Sequence, residues 1–140
     1  MQNGRVLALD LGKRRIGLAL SDELGITAQG LETFVRSNIR EDLARLAELV
    51  SQKNVALILM GNPLHMSGRE SRQTEYTREF AARLQAATGL PIEFRDERLT
   101  TVEAERVLRQ SGISIQKRAK AVDRLAAVIL LESYLDSLRL

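Results

Sequence analysis

The chain has 140 residues, 44% hydrophobic and 28% charged, which supplies one core and leaves no need for a second; a single domain over 1–140 is expected. Its 21 basic and 18 acidic residues give a formal net charge of +3 at pH 7, which suits an anionic partner without demanding one. With no cysteine there is neither a disulfide framework nor a thiolate metal centre, so any metal must be held by oxygen or by the single histidine, His65.

In chain order, Arg5 to Asp10 is a short apolar run that closes on a carboxylate. A glycine-containing turn and a second run, Ile16 to Leu20, complete a hairpin. Ser21 to Gly25 is turn chemistry, which predicts a third strand within Ile26–Val35 and an antiparallel meander. The period then changes. Asn38 followed by Glu41 is a capping pair, and Ile39, Leu43, Leu46, Ala47 and Val50 recur at helical spacing. Val55 to Met60 is a continuous apolar run bounded by Gly61-Asn62-Pro63, the pattern of a strand buried on both faces. Ser67 with Glu70 predicts another helix start, and Tyr76, Phe80, Leu84 and Ala87 carry its stripe toward Gly89. Pro91 opens a short strand through Asp96, Thr100 with Glu103 starts a helix ending near Gly112, and a last helix spans 117–138. Three meandering strands followed by alternating helices and strands give an α/β domain, a mixed sheet with helices on its faces. The amino-terminal run is too short for a signal sequence, and no stretch of about eighteen apolar residues occurs, so a soluble, cytoplasmic protein with no membrane partner is expected.

Three groups of acids stand out. Asp10 closes an apolar strand, an uncomfortable place for a carboxylate unless it is solvated, paired or bound to a cation. The bland alternative is a cap on the following turn. Asp123 lies in a helix whose neighbours, Val122 and Leu125 to Leu131, are apolar in nearly every direction; this predicts a helix buried all round and a carboxylate facing the interior or a cleft, against the alternative of first-turn charge stabilisation. Asp96 and Glu97 emerge at the end of the fifth strand, at the same sheet edge as Asp10 if those strands are parallel, and they point different ways if the strand continues. The residues alone do not choose between them. Acids converging there would repel without divalent cations, and two Mg2+ or Mn2+ ions about 3.5–4 Å apart can activate water for phosphodiester displacement. Zinc is disfavoured with one histidine and no cysteine.

Lys13, Arg14, Arg98, Lys117, Arg118, Lys120 and Arg124 are candidates to hold phosphates; half of them are expected to be ordinary surface charge. Arg98 and Lys120 are preferred for their nearness in sequence to the acids. Gly12 is read as relieving a positive φ in the hairpin turn, and Gly17, inside a strand, as leaving room for a ligand or another segment. His65 follows a turn and is not assigned a catalytic role. Tyr76, Phe80 and Tyr134 fall on helical stripes and are expected in the core, and at 4% the aromatic content argues against a stacking platform for single strands.

Four segments carry a family resemblance: Asp10 through Ala19, Gly61 through Gly68, Asp96 through Ala104, and Ala121-Val122-Asp123 continuing through Leu131 to Tyr134. They closely resemble the YqgF family, also called the RuvX or pre-16S rRNA nuclease family, within the ribonuclease-H-like superfamily that includes the RuvC resolvases. The match runs through essentially the whole chain. It implies a ribonuclease-H-like, five-stranded mixed sheet and a two-metal site built from Asp10, Glu97 and Asp123, favouring Glu97 over Asp96. The implied activity is that of a metal-dependent nuclease maturing the 5′ end of pre-16S rRNA in ribosome biogenesis, or of a Holliday junction resolvase acting on branched DNA. Asn62 and Ser67 depart from the family pattern, which bears on loop contacts and not on the acids.

Two other classes compete. Asp10-x-Gly12 followed by Gly17 also resembles the first phosphate loop of actin-like ATPases and sugar kinases, a nucleotide-binding reading that leaves Glu97 and Asp123 without a role. A non-catalytic RNA-binding or transcription factor is the second. Either a monomer or a homodimer is compatible; junction resolution would favour a two-fold dimer.

Overall fold

The computed structural model describes residues 4–62, 72–96 and 115–138. The helix starts expected at Ser67 and Thr100, and with them His65, Glu97 and Arg98, lie outside the described residues.

Five strands form one sheet: β1 (Arg5–Leu11), β2 (Arg15–Ser21), β3 (Ala28–Val35), β4 (Val55–Asn62) and β5 (Ile92–Asp96), in the order β3-β2-β1-β4-β5. The first three make the antiparallel meander, and β4 and β5 continue it on the other side of β1 as parallel strands. The strand that closes on Asp10 is therefore the central one. Its side chains alternate between faces, as strand geometry requires. Leu7, Leu9 and Leu11 join Ile16, Leu18, Ile58 and Met60 in a core closed by α1 (Ile39–Gln52) and α2 (Arg72–Thr88), through Leu46, Val50, Phe80 and Leu84. Val6 and Ala8 join Ala19, Leu57 and Leu59 on the opposite face, under α3 (Ile115–Ser137), which contributes Ala127, Leu130, Leu131, Tyr134 and Leu135. β1 and β4 are covered on both sides, which is why β4 reads as an unbroken apolar run.

Local signals explain most boundaries. The Asn38 side chain accepts the Glu41 amide N–H at 2.9 Å, a cap that contributes about 1 kcal/mol to α1. β3 begins at Ala28 instead of Ile26 because the Asp22 carboxylate takes the amides of Ile26 (2.7 Å) and Thr27 (3.1 Å), holding them in the turn. β4 runs two residues past Met60, since Gly61 and Asn62 pair with Arg95 and Asp96 of β5.

Two expectations are corrected. α3 is not buried all round: Ala126, Ala127, Leu130, Leu131, Tyr134 and Leu135 are buried while Leu125, Val128 and Ile129 are half-buried and Arg124, Glu132, Ser133 and Asp136 exposed. It is an outer layer on one face of the sheet, and apolar residues at its flanks widen the stripe without enclosing the helix. Nor does Gly12 adopt a positive φ; among the described glycines only Gly4, Gly25 and Gly89 do. Gly12 is needed for closeness instead, because a Cβ there would stand 2.6 Å from the Arg15 carbonyl oxygen. Of the expected aromatics, Phe80 and Tyr134 are core residues, whereas Tyr76 is half-buried and uses its hydroxyl. Leu135 is buried against the sheet and Leu138 is exposed.

Candidate functional site at the carboxyl rim of the sheet

Asp10 is the sixth residue of β1 and half-buried, on the α3 side of the sheet with Val6 and Ala8. Directly opposite it on β2 is Gly17. On β4, Leu9 pairs with Met60, so the next residue along, Gly61, flanks Asp10 from the other side. The carboxylate thus stands between two bare stretches of backbone. Both glycines are buried, and neither puts a side chain beside the Asp10 carboxylate. The same row ends on β5 with Arg95, paired with Gly61.

Arg95 also faces α3. Its guanidinium lies 5.8 Å from the centre of the Tyr134 ring and donates to Ser133 Oγ at 3.3 Å. Burial, and then the neighbouring Glu93 carboxylate that the phenol bonds, push Tyr134 above its ordinary pKa of 10.0, with Arg95 pulling the other way. This cluster fastens β5 to α3.

The direction of α3 decides what reaches Asp10. Leu135 lies 3.9 Å from where a Cβ on Gly25 would sit, whereas Arg124 and Val128 lie over Gly30, further along β3. The helix therefore runs antiparallel to β3 and to β1. Tyr134 borders the same hollow as Val6 and Ser21. Going back from Tyr134 to residue 123 covers about 16 Å of helix axis, and going from Val6 to Asp10 covers about 13 Å of strand. The backbone turn carrying Asp123 is consequently level with the rim where β1 ends. β5 ends at that rim too, running parallel to β1 through β4, and Glu97 is the next residue.

Of the expected site residues, the structure thus describes Asp10 in full and the backbone of Asp123, both at one rim; Glu97 lies outside the described residues. No group of three or more His, Asp or Glu able to hold a metal is present among the described residues. Asp10 itself offers carboxylate oxygen, the donor type that hard divalent ions prefer. Lys13 is exposed in the β1–β2 turn. Lys117 and Lys120 lie in the first turns of α3. Arg124 is exposed and its methylenes rest on Gly30, where a Cβ would come within 2.8 Å, so it stands over β3, two strands from Asp10.

One functional cluster escaped the sequence reading. Asp42 is buried in α1 and accepts from Arg36 Nε at 3.0 Å and from the Ser37 amide at 3.0 Å. The same guanidinium donates to the Gly12 carbonyl at 3.0 Å and to the Tyr76 hydroxyl, and it lies 5.4 Å from the ring centres of Tyr76 and Phe80. Burial weakens the charged form of Arg36, but the bonds to Tyr76 and Asp42 outweigh it and its pKa is raised. With the Arg36 amide bonded to the Arg14 carbonyl at 2.8 Å, this residue clamps the turn that follows Asp10 to α1 and α2. A signal was available: Asp42 shares the stripe of Leu46 and Val50 at four-residue spacing, and a carboxylate on a buried stripe requires a cation.

Solved structures share this architecture. RuvC of T. thermophilus in complex with Holliday junction substrate superposes with a TM-score of 0.60 at 13% identity, covering 97% of this chain and 96% of that one. The Fowlpox virus resolvase, in complex with Holliday junction DNA, gives 0.59 at 14%, covering 97% and 99%. Sheet order and likeness together define a ribonuclease-H-like α/β domain. The sequence is 55% identical over 134 residues to the "Putative pre-16S rRNA nuclease" of Koribacter versatilis (strain Ellin345), covering 96% of this chain and 88% of that protein, and 49% identical to the protein of that name from Syntrophus aciditrophicus (strain SB), covering 96% and 89%. The profile of the RuvX family, described as Holliday junction resolvase, matches residues 4–137, and the chain belongs to that family. No helix among the described residues is long and apolar enough to cross a membrane.

Proposed function

We propose that this chain is a divalent-metal-dependent nuclease that hydrolyses phosphodiester bonds of structured RNA, processing the 5′ end of pre-16S rRNA in the cytoplasm. The observation that carries the reading is Asp10: a carboxylate at the carboxyl end of the central strand, with glycine on both flanks, in a chain about half identical to proteins named for that activity. With no side chain on either flank, the carboxylate is placed where a phosphodiester and hard cations can be accommodated beside it.

In this reading Asp10, Glu97 and Asp123 hold two Mg2+ or Mn2+ ions. Bound there, the ions would supply charge neutralisation and a more acidic water for phosphodiester hydrolysis. Gly17 and Gly61 leave the scissile group room to approach Asp10, while Arg36 keeps the turn after Asp10 from shifting as substrate charge arrives. Lys13, Arg98, Lys117, Lys120 and Arg124 supply positive charge to the backbone of the nucleic acid. Arg124, standing over β3, serves a part of the substrate remote from the cut.

Purified protein incubated with a labelled ribosomal precursor fragment, single-stranded RNA and branched DNA, with Mg2+, Mn2+ or chelator, tests this directly. Cutting of the precursor that needs metal and drops at least a hundredfold in Asp10→Asn is expected. Undiminished cutting by that variant refutes the assignment, and cutting confined to branched DNA makes the protein a junction resolvase.

A further inference from the structure

We propose that the groove between the β1–β2 turn and the start of α1 binds backbone phosphates of the substrate, on the face of the sheet opposite α3. This rests on the nuclease reading and extends it, since it routes the nucleic acid over the rim of the sheet instead of along one face. The groove has a volume of about 440 Å3 and is bordered by Lys13, Arg14, Ser37, Asn38, Ile39 and Tyr76. Asp10 faces α3, whereas α1 and Tyr76 belong to the other layer, so a strand touching both sites must cross the edge.

Two features distinguish this groove from ordinary solvated charge. Lys13 and Arg14 are adjacent and exposed, and neither side chain has an ion-pair or hydrogen-bond partner among the described residues. They are also held still. The turn is closed by the Gly12 amide on the Arg15 carbonyl (3.0 Å) and tied from below by Arg36, which bonds the Gly12 carbonyl with its side chain and the Arg14 carbonyl with its amide. Positive charge on a fixed turn costs little ordering when an anion binds. The floor does not compete for it, because the Asp42 carboxylate is already taken by Arg36 and the Ser37 amide. Glu41, at the rim, accepts from the Ser37 hydroxyl. With two cations and few aromatic groups the groove can read charge and spacing but not base identity, so its ligand is a phosphodiester backbone of any sequence. Lys13 is three positions after Asp10, at most about 10 Å of chain, which puts both within reach of one strand.

Binding of a fluorescently labelled single-stranded RNA, followed by anisotropy in chelator across a salt titration, tests the groove without any cleavage. For Lys13→Gln/Arg14→Gln the slope of log affinity against log salt should be shallower by about 1.4, equivalent to about 25-fold weaker binding at 0.1 M salt. Lys13→Arg/Arg14→Lys should keep the wild-type slope, and all variants should unfold at the wild-type denaturant concentration because both side chains are exposed. Unchanged affinity and slope in the glutamine pair, with wild-type binding intact, overturns the groove alone. Failure of the wild-type protein to bind either this RNA or a labelled ribosomal precursor fragment overturns the nuclease reading with it.

Discussion

Replacing Arg36 with methionine is the most informative single perturbation of this domain. It leaves the Asp42 carboxylate, 1% exposed, without its cation and still out of water, and it orphans the Gly12 carbonyl. Removing the partner of a buried charge costs about 3–5 kcal/mol, several times what an exposed pair contributes; Asp42 is buried and Arg36, half-buried at 10% exposure, shields it from water. For a domain of 140 residues the unfolding entropy near 60 °C is about 0.3 kcal/mol per kelvin, so the expected fall in Tm is about 10–17 °C. Arg36→Met/Asp42→Leu removes both charges and should recover most of that loss, because the penalty lies in the uncompensated carboxylate and not in the missing attraction. The two variants then separate stability from positioning. If the clamp holds the turn after Asp10, the double variant is stable yet cuts about tenfold to a hundredfold more slowly at saturating substrate, as expected of a displacement of about 1 Å near reacting groups. Thermal unfolding by circular dichroism and single-turnover cleavage provide both numbers. A loss below about 1 kcal/mol in Arg36→Met would mean the pair behaves as a surface salt bridge, contrary to its burial. Full activity in the double variant would show that Arg36 only stabilises.

Two smaller perturbations test neighbouring features. Asp22 accepts amides from Ile26 and Thr27, which lower its pKa below the ordinary 3.8; its contribution is therefore present above the unfolded-state value and lost as pH falls through the folded-state one. Asp22→Ala should unfold at lower urea than wild type at pH 7, the gap closing as pH falls through the lowered folded-state value, and a gap undiminished in acid would refute the carboxylate as its source. Gly12→Ala must push its Cβ against the Arg15 carbonyl, 2.6 Å away, costing about 1–3 kcal/mol; a urea midpoint identical to wild type would show that the turn yields freely and is not the fixed platform described above.

Much of the fold was legible along the chain because the signals are local. The apolar run from Arg5 to Asp10, helical spacing after Asn38 and the cap itself depend on residues a few positions apart, and each appears in the structure nearly where expected. So does the family, since four motifs in order carry it. Asp10 could be singled out because a charge ending an apolar run conflicts with its surroundings at the level of the sequence. Other readings went astray where local composition has two explanations. Gly12 serves close approach and not a positive φ, and the apolar flanks of α3 broaden one buried face without surrounding the helix.

What the sequence by itself determined, then, is which segments become strands and helices and which carboxylate is out of place among apolar neighbours. Only tertiary structure decided that β4 lies beside β1, so that Gly61 joins Gly17 in flanking Asp10, and that α3 runs antiparallel to β1, so that the turn bearing Asp123 comes level with the rim. It also brought Arg36 at the end of the meander to Asp42 in α1, to Tyr76 in α2 and to Gly12 after β1. The physical reason is the same in each case. Strand order, helix direction and the partner of a buried charge are fixed by packing between segments far apart in the chain, and no periodicity within a segment encodes them.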